Sequence, residues 1–109
     1  MKIVFSALAK NDLDEIFETT IEKWGMQQAE NYLMELHGTI NLTAKKQKVW
    51  RRMLDADIQD ISLDKIFFVS YKRHFVFFTE LKKSEGIRIL RVLHERMNIP
   101  SQIKNSILV

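Results

Sequence analysis

KIFFVSYKRHFVFFTELKKSEGIRILRVLH, residues 65–94, decides the fold. KIFFVSY (65–71) and HFVFFTEL (74–81) are dense in Phe, Val and Ile, and only Lys72 and Arg73 separate them. Two β-rich runs with a two-residue break predict an antiparallel hairpin. The KKSEG stretch supplies the next turn at Gly86, and GIRILRVLH (86–94) returns as a third meander strand. Strict alternation along that strand places Ile87, Ile89, Arg91 and Leu93 on one face and Arg88, Leu90, Val92 and His94 on the other. An arginine in mid-sheet costs several kcal/mol, about that of any unpaired buried charge, unless it meets an anion. Arg91 therefore needs a carboxylate such as Glu80 or Glu95, or an anion brought by a partner.

Upstream, KIVFSA (2–7) reads as a short first strand able to join the same sheet. Asn11 offers an N-cap oxygen, and Asp12, Asp14 and Glu15 suit a first helical turn. Leu13, Ile16, Phe17, Ile21 and Trp24 form an amphipathic stripe that Gly25 closes. Met26, Ala29, Tyr32, Leu33, Leu36 and Ile40 mark a second helix, so short a connection making an αα-hairpin. Gly38 weakens that helix and suggests close packing or a bend. Residues 45–64 are an irregular connection, KKQKVWRRML followed by DADIQDISLD, in which Val49, Trp50, Met53 and Leu54 suit a short helical turn. The fold class is α+β, in the order β-α-α-β-β-β: an antiparallel sheet packed against an N-terminal helical hairpin. Residues 1–98 form the domain. Residues 99–109 form a C-terminal tail whose Ile103, Ile107 and Leu108 stand at helical spacing, for the body or for a partner.

The totals bound the function. A chain of 109 residues with 46% hydrophobic content is one domain with a real core. With no cysteine there are neither disulfides nor thiolate metal sites. The N-terminus lacks a signal-peptide pattern and no apolar run approaches the roughly 20 residues of a membrane span, so the expectation is a cytoplasmic protein. His37, His74 and His94 show no metal-ligand spacing and read as three unrelated histidines. No GxSxG and no phosphate-cradling glycine loop occur among three glycines, which disfavours hydrolases and nucleotide-binding enzymes. The phenylalanines lack the signature of RNA-binding sheets and read as core. No cofactor, metal or small-molecule substrate is expected.

Charge is more telling. The net +3 divides into seven acids against three lysines in residues 1–44, and fourteen bases against seven acids in residues 45–109. Such asymmetry points to a basic face for an anionic protein or nucleic acid. The candidate partner-binding residues are Arg88, Arg91, His94 and Arg96, with the cluster Lys45, Lys46, Lys48, Arg51 and Arg52.

NDLDEIFETTIEKWGMQQAENYLMELHGTI resembles the paired helices of the RelE/ParE toxins of type II toxin–antitoxin modules, in Asp12–Leu13, Trp24–Gly25, Gln28–Ala29 and Tyr32. His74 and RVLHERM (91–97) resemble the ending of the ParE branch, and the likeness runs from about Ile3 to Asn98. The family's usual Gly-Arg near the end of the second helix is here Val49-Trp50-Arg51-Arg52, and its small meander turn is Lys72-Arg73. The resemblance implies a ParE-like toxin that arrests growth, stabilises plasmids, inhibits DNA gyrase without being an enzyme, and is neutralised by a ParD-type antitoxin. The alternatives it implies are a RelE-type ribosome-dependent mRNA endonuclease, with His94 as base and Arg91 and Arg96 as clamps, or a non-toxic antitoxin-binding relative.

Overall fold

In the computed structural model, which describes residues 1–55 and 64–108, the meander is the centre of a five-stranded sheet. The strands are β1 (Lys2–Phe5), β2 (Arg51–Arg52), β3 (Phe67–Tyr71), β4 (His74–Glu80) and β5 (Gly86–His94). Their spatial order is β1-β5-β4-β3-β2. Three pairings are antiparallel, but β1 runs parallel to β5, so the sheet is mixed rather than wholly antiparallel. The reason is topological. Two antiparallel helices between β1 and the meander form a crossover long enough to return the chain in the same direction.

The helical hairpin is α1 (Ala7–Trp24) and α2 (Met26–Lys45), divided at Gly25, whose φ of 88° suits glycine. The first helix begins earlier than Asn11 suggests. Ser6, the residue just after β1, is its N-cap, and Ser6 Oγ accepts from Ala9 N at 3.0 Å. Asp12 consequently lies past the first turn, on the inward side. Leu13, Ile16, Leu36, Ile40 and Ala44 pack on one sheet face around Phe78, Ile87, Ile89 and Val92. Two stripe members leave that core: Trp24 is 72% exposed and Met26 is also exposed. Gly38 packs against nothing, since a Cβ there would find open space.

The opposite face carries a second core. A third helix, α3 (Ile99–Leu108), lies in the predicted tail and packs on the body. Ile103 is fully buried there with Phe77, Leu93 and Ile66, flanked by Leu90, Ile99 and Ile107. The Leu108 side chain and Val109 lie outside the described atoms. In the 45–64 connection, Gln47–Val49 is a 3-10 turn and Arg51–Arg52 an edge strand on β3, while residues 56–63 lie outside the described ones. Trp50 anchors this segment: its indole N–H donates to Thr43 O at 2.7 Å, and its ring packs on Phe67 and Phe78. Val49 and Leu54, expected as further anchors, are exposed.

One irregularity governs where β5 sends its side chains. Phe78 pairs with Ile89 and Phe77 with Arg91, which leaves Leu90 as the extra residue of a β-bulge. Upstream, Ile87 and Ile89 face the helical hairpin; downstream, Val92 does so and Leu93 faces α3. The simple alternation therefore fails after Ile89.

Candidate functional site

The bulge places Arg91 at the open edge of β5, just past the end of β1. There Ser6 takes over from the strand, its N–H donating to Ile89 O and its hydroxyl to Leu90 O. Asp12 continues the seal, accepting from Val92 N at 2.9 Å. The same carboxylate receives Arg91 Nε at 2.7 Å and a terminal guanidinium nitrogen at 2.8 Å, a bidentate pair. Gln102 and Ser106 of α3 accept from the remaining terminal nitrogen. Asp12 is 5% exposed, and this hydrogen bond holds the Arg91 pKa above its ordinary value. The mid-sheet arginine is thus satisfied within the chain, by Asp12 and not by Glu80 or Glu95. It bolts α1, β5 and α3 together.

The other expected site residues divide into two places. His94 and Arg96 sit where β5 ends, beside the Lys72–Arg73 turn of the β3–β4 hairpin. Lys45, Lys46 and Lys48 sit at the far end of the sheet, where Gln47 donates to Glu80 at 3.1 Å. The six-residue step from His74 to Glu80 separates the two ends by roughly 20 Å along the strand. Arg51 and Arg52 occupy the β2 edge, and Arg88 is exposed between its neighbours Val4 and Thr79. The expected residues thus fall into two groups, towards opposite ends of the sheet.

The first of them borders a cleft of about 760 Å³ between α1 and the end of the sheet. His74 and His94, which look unrelated in the sequence, are direct cross-strand partners with ring centroids 5.2 Å apart, edge to face. Tyr32 Oη lies 2.6 Å from Nδ1 of His74. Burial, then the nearby His94, lowers the His74 pKa to about 4, while burial raises that of Tyr32. At neutral pH the ring is therefore neutral and shares one hydrogen bond with the phenol through Nδ1. Nδ1 of His94 accepts from the Arg96 backbone N–H at 3.1 Å, which leaves Nε2 of that ring as the donor. Among the described residues, Nε2 of neither ring has a hydrogen-bond partner.

Lys72 adds a strained cation. Its φ is 51°, a left-handed value that hairpin turns ordinarily give to Asn or Gly. Its ammonium stands over the rings of Tyr32 (5.5 Å) and Tyr71 (5.4 Å) and 3.6 Å from Glu35. Tyr71 also donates to Glu35; burial and that bond push the phenol up to about 12, and the carboxyl is held below its usual range. Arg73 meets Glu95 at 3.4 Å, an exposed pair of the kind that contributes little. Among the described residues no carboxylate lies within ion-pair distance of Arg96. No group of three potential metal ligands exists among them either, nor any helix long and apolar enough to cross a membrane.

Sequence reasoning missed Asp12, Tyr32 as a His74 partner, and the His74–His94 pair. The pair was within reach. Turn pairing of Tyr71 with His74 fixes the hairpin register, and β5 then brings its last residue opposite the first of β4.

Residues 3–99 match the family described as the ParE toxin of the type II toxin–antitoxin system, parDE. Toxin ParE1 of Mycobacterium tuberculosis (strain ATCC 25618 / H37Rv) is 31% identical over 99 residues, covering 90% of this chain and 93% of the relative. Toxin ParE1 of Caulobacter vibrioides is 31% identical over 98 residues, covering 85% and 88% respectively. With its β-α-α-β meander order and a match over nearly its whole length, the chain belongs to the ParE toxin family of type II toxin–antitoxin systems.

Proposed function

We propose that this chain is a cytoplasmic toxin that inhibits DNA gyrase and is neutralised by a ParD-type antitoxin. The observation that supports the reading is the basic end of the sheet, where Arg96, without an acidic partner among the described residues, lines the cleft together with His94. An acidic, amphipathic antitoxin segment suits two surfaces: the Arg88 and 45–52 region at one end, and the cleft at the other. Binding there pairs charge and buries apolar surface such as Trp24, offsetting the cost of ordering the segment. Arg91 takes no part in the contact, because its donors are spent on Asp12, Gln102 and Ser106.

The test is induction of the chain without an antitoxin, scoring DNA-damage response against transcript integrity. Growth arrest with SOS induction, relieved by His94→Ala plus Arg96→Ala, supports the reading. Arrest with rapid ribosome-dependent transcript cleavage and no SOS response supports the RelE-type endonuclease instead. That second reading draws on the paired imidazoles of His74 and His94, but it loses Arg91 as a clamp. No growth arrest at all identifies a non-toxic antitoxin-binding relative.

A further inference from the structure

The 760 Å³ cleft lies within the size range of small-ligand sites, about 300–1,000 Å³. Its walls differ in chemistry. The sheet end offers the imidazoles of His74 and His94, with Arg96 beside them. The far end of α1 offers Trp24, a large aromatic side chain left 72% exposed at the mouth of the same cleft. Of the carboxylates that also line the cleft, Asp12 is taken by Arg91 and Val92, and Glu15 meets the neutral Asn11 amide at 3.2 Å and stands against the lining cations Lys23, Lys72, Arg73 and Arg96. Among the described residues this leaves basic side chains on one wall and, on the other, an indole with no ring or cation partner.

From this juxtaposition we infer that the cleft binds one nucleotide unit of a single-stranded nucleic acid, phosphodiester on His94 and Arg96 and base against Trp24. Exposed aromatics stack bases with little sequence preference, and cationic groups along a groove hold the backbone. Charge-assisted donors favour a phosphate over a neutral ligand. A free acidic side chain satisfies the donors but leaves the indole uncovered, which is why a nucleotide fits better than a carboxylate. The Nδ1 atoms of both rings are engaged within the chain, by the Arg96 backbone N–H and the Tyr32 hydroxyl. The inference shares His94 and Arg96 with the surface proposed above, but it stands without gyrase.

The purified full chain is titrated with fluorescein-labelled pentathymidylate at low salt, following anisotropy, and with unlabelled strand, following tryptophan emission. The chain has two tryptophans, and Trp50 is held in the core by Thr43 and two phenylalanines. Saturable binding with quenching that disappears in Trp24→Phe is expected. Affinity falls at least about tenfold in Arg96→Gln and in His94→Gln, and binding weakens with salt by roughly 0.7 log unit per log unit for each phosphate contact. Imidazole resonances of His74 and His94 move while that of His37, packed beside Phe5, does not. Urea midpoints of the variants confirm that they are folded. No saturable binding overturns the inference, as do unchanged affinity in both variants, unchanged emission from Trp24, or equal affinity for a duplex of the same length. Because gyrase is absent from the assay, binding without SOS induction in cells refutes the gyrase reading alone, and the converse refutes the nucleotide site alone.

Discussion

Replacing Asp12 by Ala is expected to be among the most damaging single changes in this chain. Its carboxylate accepts three hydrogen bonds, at 2.7, 2.8 and 2.9 Å, from Arg91 Nε, an Arg91 terminal nitrogen and the Val92 backbone. The Arg91 side chain is only 12% exposed, so water does not replace what is lost. Removing one member of a buried pair costs about 3–5 kcal/mol, because the surviving charge stays uncompensated. A domain of this length has a total stability of about 5–15 kcal/mol. Asp12→Ala therefore consumes much of the margin. Asp12→Asn keeps an acceptor for Val92 N–H and loses the charge attraction, so its cost is intermediate. Asp12→Leu combined with Arg91→Met removes both charges, leaves the Val92 N–H as the main loss, and recovers much of the deficit. Urea unfolding followed by tryptophan emission and far-UV circular dichroism measures all three. If Asp12→Ala costs less than about 1 kcal/mol, or the double variant is as unstable as the single one, the pair does not carry the role assigned to it.

Ile103→Ala leaves a hole in the second core and lowers stability by about 2–5 kcal/mol in the same urea experiment; a loss below that range would mean that α3 is loosely held. The His74 ring titrates at about 4 in the folded chain against about 6.5 when unfolded. The unfolded chain thus takes up the proton first, and stability, full above pH 6.5, declines as pH falls toward 4. With the ring partly exposed, the loss over that window is about 1–2 kcal/mol. Urea midpoints at pH 7.5 and 5.0 should converge in His74→Phe, and parallel behaviour of variant and parent would contradict the assignment. Gly86→Ala drives a Cβ to 1.7 Å from Lys2 O, so β1 must move off β5. Faster amide exchange of β1 and the adjoining β5 edge is expected, and unchanged protection would show that the backbone yields at no cost.

Much of this architecture was legible because local chemistry marks it. Gly25 ends α1 where the apolar stripe runs out, and the dense aromatic runs give β3 and β4 to within two residues. β5 spans the predicted residues 86–94. What escaped depends on contacts between distant residues. Asp12 looks like a residue for a helix N-terminus, and only the seating of α1 against the edge of β5 turns it into Arg91's partner. Nothing local in GIRILRVLH announces the bulge at Leu90, which exists because Ser6 and Asp12 seal the edge where β1 stops. The parallel sense of β1 follows from the crossover, not from KIVF itself. Trp24 reads as core by its spacing, yet α1 outruns the sheet and carries it into solvent. The candidate site suffered most, since His74 and His94 are twenty positions apart and acquire meaning only as neighbours.

The parallel seam between the first strand and the last also bears on assembly. Lys2 pairs with Gly86 and Phe5 with Ile89, so the two strands are joined across 84 positions of sequence. The helical hairpin closes locally and early, whereas this non-local pairing carries the slow loop-closure entropy of the fold. A nascent chain released before residue 86 has no completed sheet and no paired imidazoles. Chains that stop before β5 are accordingly expected to leave the sheet open between β1 and β4.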